Sequence, residues 1–388
     1  MNLLQLSRVA PHPPQNGAEV RVWKTSEKLS EQGDLWLATP PGDEPIPGDI
    51  TQISLDSMLF ERRPLWNELW TASFVVSKRH PLRTLLTRAA VSAVDDHDVA
   101  FDVVVCEFPQ LTDAAIRLAN EHDAWLLLNK HNADYRILDG FLRERSVPKP
   151  IRRRAVENFL SLERRGIAHA DAVVFQSQDD ADRFEDAPAE STFVVPNGCD
   201  FESIRAGGDS EALRRAWDID PEAFVCVFLG SYDYSPNRRA AEAITDEIAP
   251  ALPDVEFVLI GRNPPTTDGE NVHAPGYVDD LAGALEMADV ALCPLFSGSG
   301  TKLKLLDYFA AGLPVVTTPV GVEGLPVEDG KDALVSETVE GIIADVDRLR
   351  ASDDLRAELS EAGRDIAADH SWESLMAEYD EILDGVDQ

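Results

Sequence analysis

Short apolar runs alternate with longer amphipathic stretches along the whole chain. Residues 3–7, 35–38, 102–106, 125–129, 172–176 and 193–196 are apolar runs of strand length. Between them, residues 19–31, 111–121 and 152–170 repeat their apolar positions at helical spacing. A Pro/Gly-rich loop at 11–17 separates the first strand from the first helix. The rhythm restarts after Asn197-Gly198. Strands are then expected at 224–229, 255–261, 289–295, 314–317 and 333–335. Helices are expected at 238–248, 280–287, 302–310, 339–351 and 354–368, with a last one at 372–383. Strand–helix alternation of this kind predicts α/β architecture with doubly wound parallel sheets.

The length, 388 residues, suits two such domains. The pattern puts an N-terminal Rossmann-like domain at 1–198 and a second at 199–370. A ligand is expected at the carboxyl ends of the strands, in the cleft between the domains. No stretch of about 18 apolar residues would span a membrane as a helix. No basic segment leads into an apolar run at the N-terminus, so the expected compartment is the cytoplasm.

Charge changes the picture. Seventy acidic residues oppose 35 basic ones, a net charge of -35, which argues against nucleic acid as a partner. Only 8 of the basic residues are lysines. An acid-rich, lysine-poor surface suggests adaptation to high salt, where repulsion is screened over a few ångströms. An ordinary acidic protein is the alternative. The charge is uneven, net -8 for residues 1–199 and -27 for 200–388. Cys106, Cys199, Cys226 and Cys293 show no metal-ligand spacing, and no metal site is expected.

The segment richest in chemistry is 297–307, Ser-Gly-Ser-Gly-Thr-Lys-Leu-Lys-Leu-Leu-Asp. It follows a strand and opens a helix. Gly298 and Gly300 let the backbone approach a ligand closely. Ser299, Thr301 and the first helical amides lie where an anion is favoured. Two of the eight lysines, Lys302 and Lys304, stand here. Pyrophosphate suits that combination; a solvated loop with solvated lysines is the alternative. If the helix has begun by 302, the two lysines diverge by about 200°. Lys302, nearer the loop, is then the expected phosphate ligand.

This segment, continued by Ala310-Ala311-Gly312-Leu313-Pro314-Val315-Val316-Thr317-Thr318, resembles the donor-binding signature of family 4 retaining glycosyltransferases of the GT-B fold. Further matches follow in order along almost the whole chain. Pro14-Gln15-Asn16-Gly17 resembles the family's N-terminal glycine loop, and Lys130-His131-Asn132 its histidine motif. Ala170-Asp171-Ala172-Val173-Val174 and Val195-Pro196-Asn197-Gly198-Cys199-Asp200 resemble the run into the interdomain linker. The stretch from Gly230-Ser231-Tyr232 to Pro236-Asn237, then Gly261-Arg262-Asn263-Pro264 and Pro275-Gly276-Tyr277-Val278, resemble successive loops of the nucleotide domain.

The resemblance implies transfer of a sugar, with retention and without a bound metal, from a nucleotide-sugar (UDP-, GDP- or similar) to an acceptor. It implies that Gly17 leaves room for the donor phosphates and that His131 reaches the transferred sugar. Gly230 belongs to the donor loops, Tyr277 and Val278 border the nucleobase, and Asp307 accepts from the ribose hydroxyls. By the same resemblance the helix in 371–388 is expected to cross back to the first domain; a simple packing helix is the alternative. Taken alone, His131 reads equally as a satisfied strand-end residue and Asp307 as a solvated helix residue. Tyr277 alone reads as a packed loop aromatic, and Gly17 as a turn.

Departures from the family pattern at four positions matter. Ser299 and Asp307 stand where many members carry two glutamates, eight positions apart. Ser231 and Asn237 stand where many members place an arginine and a lysine. Arg238, Arg262 or Lys302 must then bring positive charge to the leaving group. No carboxylate stands out as a nucleophile, which fits a same-face substitution.

The acceptor side is suggested by two basic stretches. Residues 58–88 mix Phe60, Trp66, Trp70 and Phe74 with six arginines or lysines, and 143–165 contains Arg152-Arg153-Arg154. Such mixtures suit an anionic lipid surface, and hence a lipid-linked or glycan acceptor met peripherally at the inner membrane face. Packed tryptophans beside solvated arginines are the alternative. Two rival functions share the pattern, a GT-B sugar-nucleotide epimerase and a non-catalytic nucleotide-sugar-binding protein.

Overall fold

The computed structural model describes residues 1–14, 16–42, 44–55, 71, 73–75, 81–184, 187–267, 269–298 and 301–387. Ser299 and Gly300, expected in the donor site, lie outside the described residues, as do 58–70, 72 and 76–80 of the aromatic and basic stretch.

The chain divides into two compact units. The first comprises Met1–Pro196 with Met376–Gln388, and the second Asn197–Leu375. Each is built on a parallel sheet, as α/β alternation requires.

In the first unit the strands are β1 (Asn2–Leu6), β2 (Asp34–Thr39), β3 (Thr51–Ser54), β4 (Val103–Cys106), β5 (Trp125–Lys130), β6 (Ala172–Phe175) and β7 (Thr192–Val194). Their order is β3-β2-β1-β4-β5-β6-β7. Strands β4 and β6 are buried throughout, because helices cover both faces of a parallel sheet. Helices Gly17–Gln32, Thr112–His122 and Lys149–His169 lie among those that supply the cover.

The second unit repeats the plan with β8 (Phe224–Leu229), β9 (Val255–Ile260), β10 (Val272–Gly276), β11 (Val290–Cys293), β12 (Val315–Thr317) and β13 (Leu334–Val335). The order is β10-β9-β8-β11-β12-β13. Its core gathers Phe228, Phe257, Leu292, Leu305, Leu306 and Phe309.

In both sheets the winding direction reverses beside the first strand, between β1 and β4 and between β8 and β11. Such a switch point leaves a crevice at the carboxyl ends of the two strands, where ligands bind in open α/β sheets.

The differences from the pattern have physical reasons. Strands β3 and β10 carry no apolar run. Only Ile53 of β3 is buried, and β10 contains Pro275 and shifts register between His273 and Gly276. Both are edge strands, which need only one paired side. Helix Asp134–Glu144 was also not expected; only Leu138 and Leu142 of it are buried. The helix expected at 238–248 starts at Ser235 and passes into a π turn at Ile244–Ile248. The last helix is interrupted, Trp372–Met376 then Glu378–Asp384, at the border of the two units. The helix after the glycine-rich segment begins at Leu303, and Lys302 is its extended N-cap residue. Leu303 is only partly buried, while Leu305, Leu306, Phe309 and Ala310 form the core face of the helix.

All four cysteines are buried free thiols. Among the described residues no helix is long and apolar enough to cross a membrane, and no group of three or more His, Cys, Asp or Glu could hold a metal.

Candidate active site

The second unit's switch point gathers most of the residues expected to hold a donor. Strand β8 ends at Leu229, whose amide donates to the buried hydroxyl of Tyr308 at 2.7 Å. Gly230 follows. A β-carbon there would lie 2.9 Å from the Asn237 side chain, so glycine makes room for Asn237. Asn237 is buried, and its Nδ2 donates to the Ser231 carbonyl at 3.0 Å. Its Oδ1 is thereby turned to accept from Lys304 Nζ at 2.8 Å. The same ammonium lies 4.3 Å from the centre of the Phe228 ring.

These surroundings make Lys304 an unusually acidic lysine. Burial, aided by the neighbouring Lys302 ammonium and opposed by Cys293 and Asp307, brings its pKa down to about 8. Lys302 is also lowered, by burial, with Glu323 opposing; its Nζ stands 3.7 Å from the Glu323 carboxylate. Because Lys302 precedes the helix, the 200° divergence expected of two helical lysines does not apply, and the Lys302 ammonium helps to lower Lys304. Three residues on, burial and then the Asp200 carboxylate raise Asp307 to about 7, against the pull of Lys304.

Gly298 has φ +132, a conformation reserved for glycine. A β-carbon on it would approach Tyr234 Oη at 3.6 Å and Lys302 Cε at 3.8 Å, so this loop is drawn against the one that follows β8. Thr301 sits against Gly324, where a β-carbon would come 2.6 Å from its Oγ1. Arg262 stacks over the ring of Tyr277, 5.9 Å from its centre, and Tyr277 is 67% exposed. Val278 instead packs toward the core. Arg238 is exposed and donates to the carbonyls of Tyr232 at 3.2 Å and Asp233 at 3.3 Å, which ties its guanidinium to its own loop.

The three exposed aromatic residues among the described ones are Tyr234, Tyr277 and Phe296. They follow β8, β10 and β11 in turn, all at the carboxyl edge of one sheet. Exposed rings gathered there offer stacking faces to a planar ligand.

In the first unit, Asn16 caps the helix that Gly17 opens, accepting from the Glu19 amide at 3.2 Å. His131 directly follows β5, buried and stacked on Phe108 with ring centres 4.7 Å apart. Its Nε2 lies 3.0 Å from Glu107 Oε2. Glu107 follows β4 at the switch point and is fully buried. Its Oε1 accepts from Gln5 Nε2 at 2.7 Å and Asn129 Nδ2 at 2.9 Å. Asn129 Oδ1 in turn accepts from the Tyr379 hydroxyl at 2.9 Å, which brings the chain's last helical segment into the network. The neighbouring Lys130 turns away. It pairs with buried Glu163, which also accepts from the Asp134 and Tyr135 amides at 3.1 Å each, and so anchors the next helix.

Residues 15–203 match the family described as Glycosyltransferase Family 4, and residues 223–352 that described as Glycosyl transferases group 1. Two glycosyltransferase family models, one after the other, thus match most of the chain. The chain is 24% identical over 206 residues to a phosphatidyl-myo-inositol mannosyltransferase of Mycobacterium leprae, a match over 50% of this chain and 53% of that one. It thus spans about half the length of the curated relatives it matches. Its fold is that of sucrose-phosphate synthase from Thermosynechococcus elongatus, with a TM-score of 0.71, 17% identity and coverage of 99% and 98% of the two chains. Anabaena HepE, solved in complex with UDP-glucose, has the same fold, with a TM-score of 0.67, 16% identity and 99% coverage of each chain. These neighbours establish two Rossmann-like parallel-sheet domains of the GT-B type.

Two features of the site were not singled out in the sequence. Glu107 carries no motif, and the only hint is an acid directly after four apolar strand residues. Asn237 was noted only as a missing lysine, whereas it binds Lys304.

The basic stretches are less open than expected. Phe74 and Arg83 are buried, Arg83 lying 4.8 Å from the centre of the Phe74 ring. In 143–165, Arg143 and Arg152 share Asp139, and Arg165 pairs with Asp113. Arg153 and Arg154 are exposed, near in sequence to Ile151, itself exposed.

Proposed function

We propose that this transferase moves a sugar from a nucleoside-diphosphate sugar to an acceptor hydroxyl with retention of configuration. The observation that carries this is the pairing of Lys304 with Asn237 beside Lys302, at the head of a helix whose amides face the same crevice. Lys302 and Lys304 there meet the diphosphate. Tyr277, with Arg262 over its ring, borders the nucleobase, and Asp307 takes the ribose hydroxyls. His131 meets the transferred sugar. Support comes from the family match and from a neighbour of the same fold solved with UDP-glucose.

In the reaction the bond between the sugar's anomeric carbon and the diphosphate oxygen breaks, and its electron pair stays on the diphosphate. The acceptor oxygen forms the new bond on the same face. Its proton passes to the departing diphosphate. The two ammonium groups and the helix amides stabilise the charge as it develops, and no step calls on a metal. The acceptor is a lipid-linked or glycan hydroxyl, consistent with the lipid substrate named in the mannosyltransferase relatives. Exposed Ile151, Arg153 and Arg154 suit peripheral contact with an anionic bilayer at the cytoplasmic face. The acid-rich, lysine-poor composition suits work at high salt.

Product analysis tests the reading. Purified protein with labelled nucleotide-sugars and a lipid extract should release nucleoside diphosphate only when acceptor is present. An isomerised nucleotide-sugar formed from donor alone would overturn it.

A further inference from the structure

The Glu107–His131 pair assigns a proton. A carboxylate only accepts hydrogen bonds. Gln5 and Asn129 therefore turn their amide nitrogens to Oε1, and Oε2 is left for the imidazole. The ring meets Oε2 through Nε2, so in a neutral imidazole the proton sits on Nε2. Nδ1 then carries a lone pair. It is buried and has no hydrogen-bond partner among the described residues. Buried polar atoms in folded proteins are normally paired, and one left open beside a switch point awaits a ligand group.

We propose that Glu107 is a positioning residue that holds the His131 proton on Nε2, so that Nδ1 accepts a hydrogen bond from a hydroxyl of the transferred sugar. This rests on the reading that His131 meets that sugar. It adds which nitrogen works, in which tautomer, and why. The familiar carboxylate–histidine pair holds Nδ1 and frees Nε2; here the roles of the nitrogens are exchanged. Stacking on Phe108 and the ties of Asn129 to Tyr379 keep the ring and its carboxylate in register.

The pair allows a clean test, Glu107→Gln. The new amide must offer its oxygen to the Gln5 and Asn129 donors, which leaves its NH2 facing His131 Nε2. Every group of the network stays paired only if the ring moves its proton to Nδ1. Nδ1 then becomes a donor, and a sugar hydroxyl must turn its own proton away. Nitrogen-15 spectra of the histidines in the full chain read this directly, because the two nitrogens of a neutral ring resonate far apart and a charged ring brings them together.

The wild type should show neutral His131 protonated on Nε2, and E107Q should show it protonated on Nδ1. Donor kcat/KM should fall about tenfold in E107Q, the scale of one hydrogen bond made or lost. Affinity for the free nucleoside diphosphate, which lacks the sugar, should stay the same. A wild-type ring that is charged, or protonated on Nδ1, overturns the assignment even if the variant fails to fold. A moved proton with unchanged donor kcat/KM overturns the contact of Nδ1 with the sugar, while leaving the tautomer assignment standing.

Discussion

Lys304 Nζ donates to Asn237 Oδ1 across 2.8 Å. Asn237 stands where related transferases, by the resemblance of their motifs, place a lysine after the first strand of the nucleotide domain. Here the positive charge is rooted in the helix beyond β11 and reaches the same place from the other side. The relation makes Lys304 as strong a candidate for the leaving diphosphate as Lys302.

Lys304→Ala should therefore lower donor kcat/KM by about 10- to 100-fold, the range for a hydrogen bond to a charged group. Asn237→Lys in that background should recover part of the loss by supplying the ammonium from the helix that follows β8. Steady-state kinetics of the two variants decide the matter. An unchanged kcat/KM in K304A would remove Lys304 from the site.

The pH dependence follows from two shifted groups. Asp307, raised from 3.8 to about 7, is ionised and able to accept ribose hydroxyls only above that pH. Lys304, lowered from 10.5 to about 8, is charged only below it. Donor kcat/KM reports groups of the free enzyme and should be bell-shaped, highest between about 7 and 8. Lys304→Arg, which stays charged, should remove the alkaline limb.

Stability runs opposite to function at Asp307. A raised carboxyl pKa means that the folded chain holds its proton more tightly than the unfolded one. The stabilisation is complete below pH 3.8 and is lost as pH rises through about 7. Asp307→Asn should abolish this dependence. The difference in unfolding free energy, wild type minus D307N, should fall steadily with pH across that window in urea titrations.

How much of this was legible in the sequence depends on how far apart the cooperating residues lie. The glycine-rich turn into a lysine-bearing helix is local, and it reads directly because glycine and charge follow one another in eleven positions. The inner strands read from their apolar runs, whereas β3 and β10 carry too little apolar surface to show. The Glu107 network could not be read. Its members Gln5 and Glu107 are 102 residues apart, and Asn129 and Tyr379 are 250 apart. Each alone is an unremarkable polar residue near a strand or on a helix. Only the parallel order of β1, β4 and β5 brings the first three together.

The pair Lys130–Glu163 shows that a motif residue can be structural. Both side chains are almost wholly buried. Burial lowers Lys130, but Glu163 and Asp134 outweigh it and the net shift is upward. Removing one partner, as in Glu163→Leu, should cost about 3–5 kcal/mol, while K130M/E163L should cost less than either single change. Urea denaturation of the three variants measures this, and additive losses would contradict it.

Membrane contact has its own test. The protein should float with anionic liposomes at its working salt, and I151E/R153E/R154E should stay at the bottom of the gradient. No flotation of the wild type would remove the lipid surface from the account.

The most direct measurement for the central claim is a donor screen by thermal unfolding, using UDP, GDP and their sugars. Binding to the folded chain alone raises Tm as ligand exceeds its Kd. One nucleotide series should raise the wild-type Tm progressively, with the effect lost in K302A/K304A. No shift with any nucleotide, or an equal shift in the double variant, would contradict a diphosphate site at Lys302, Lys304 and Asn237.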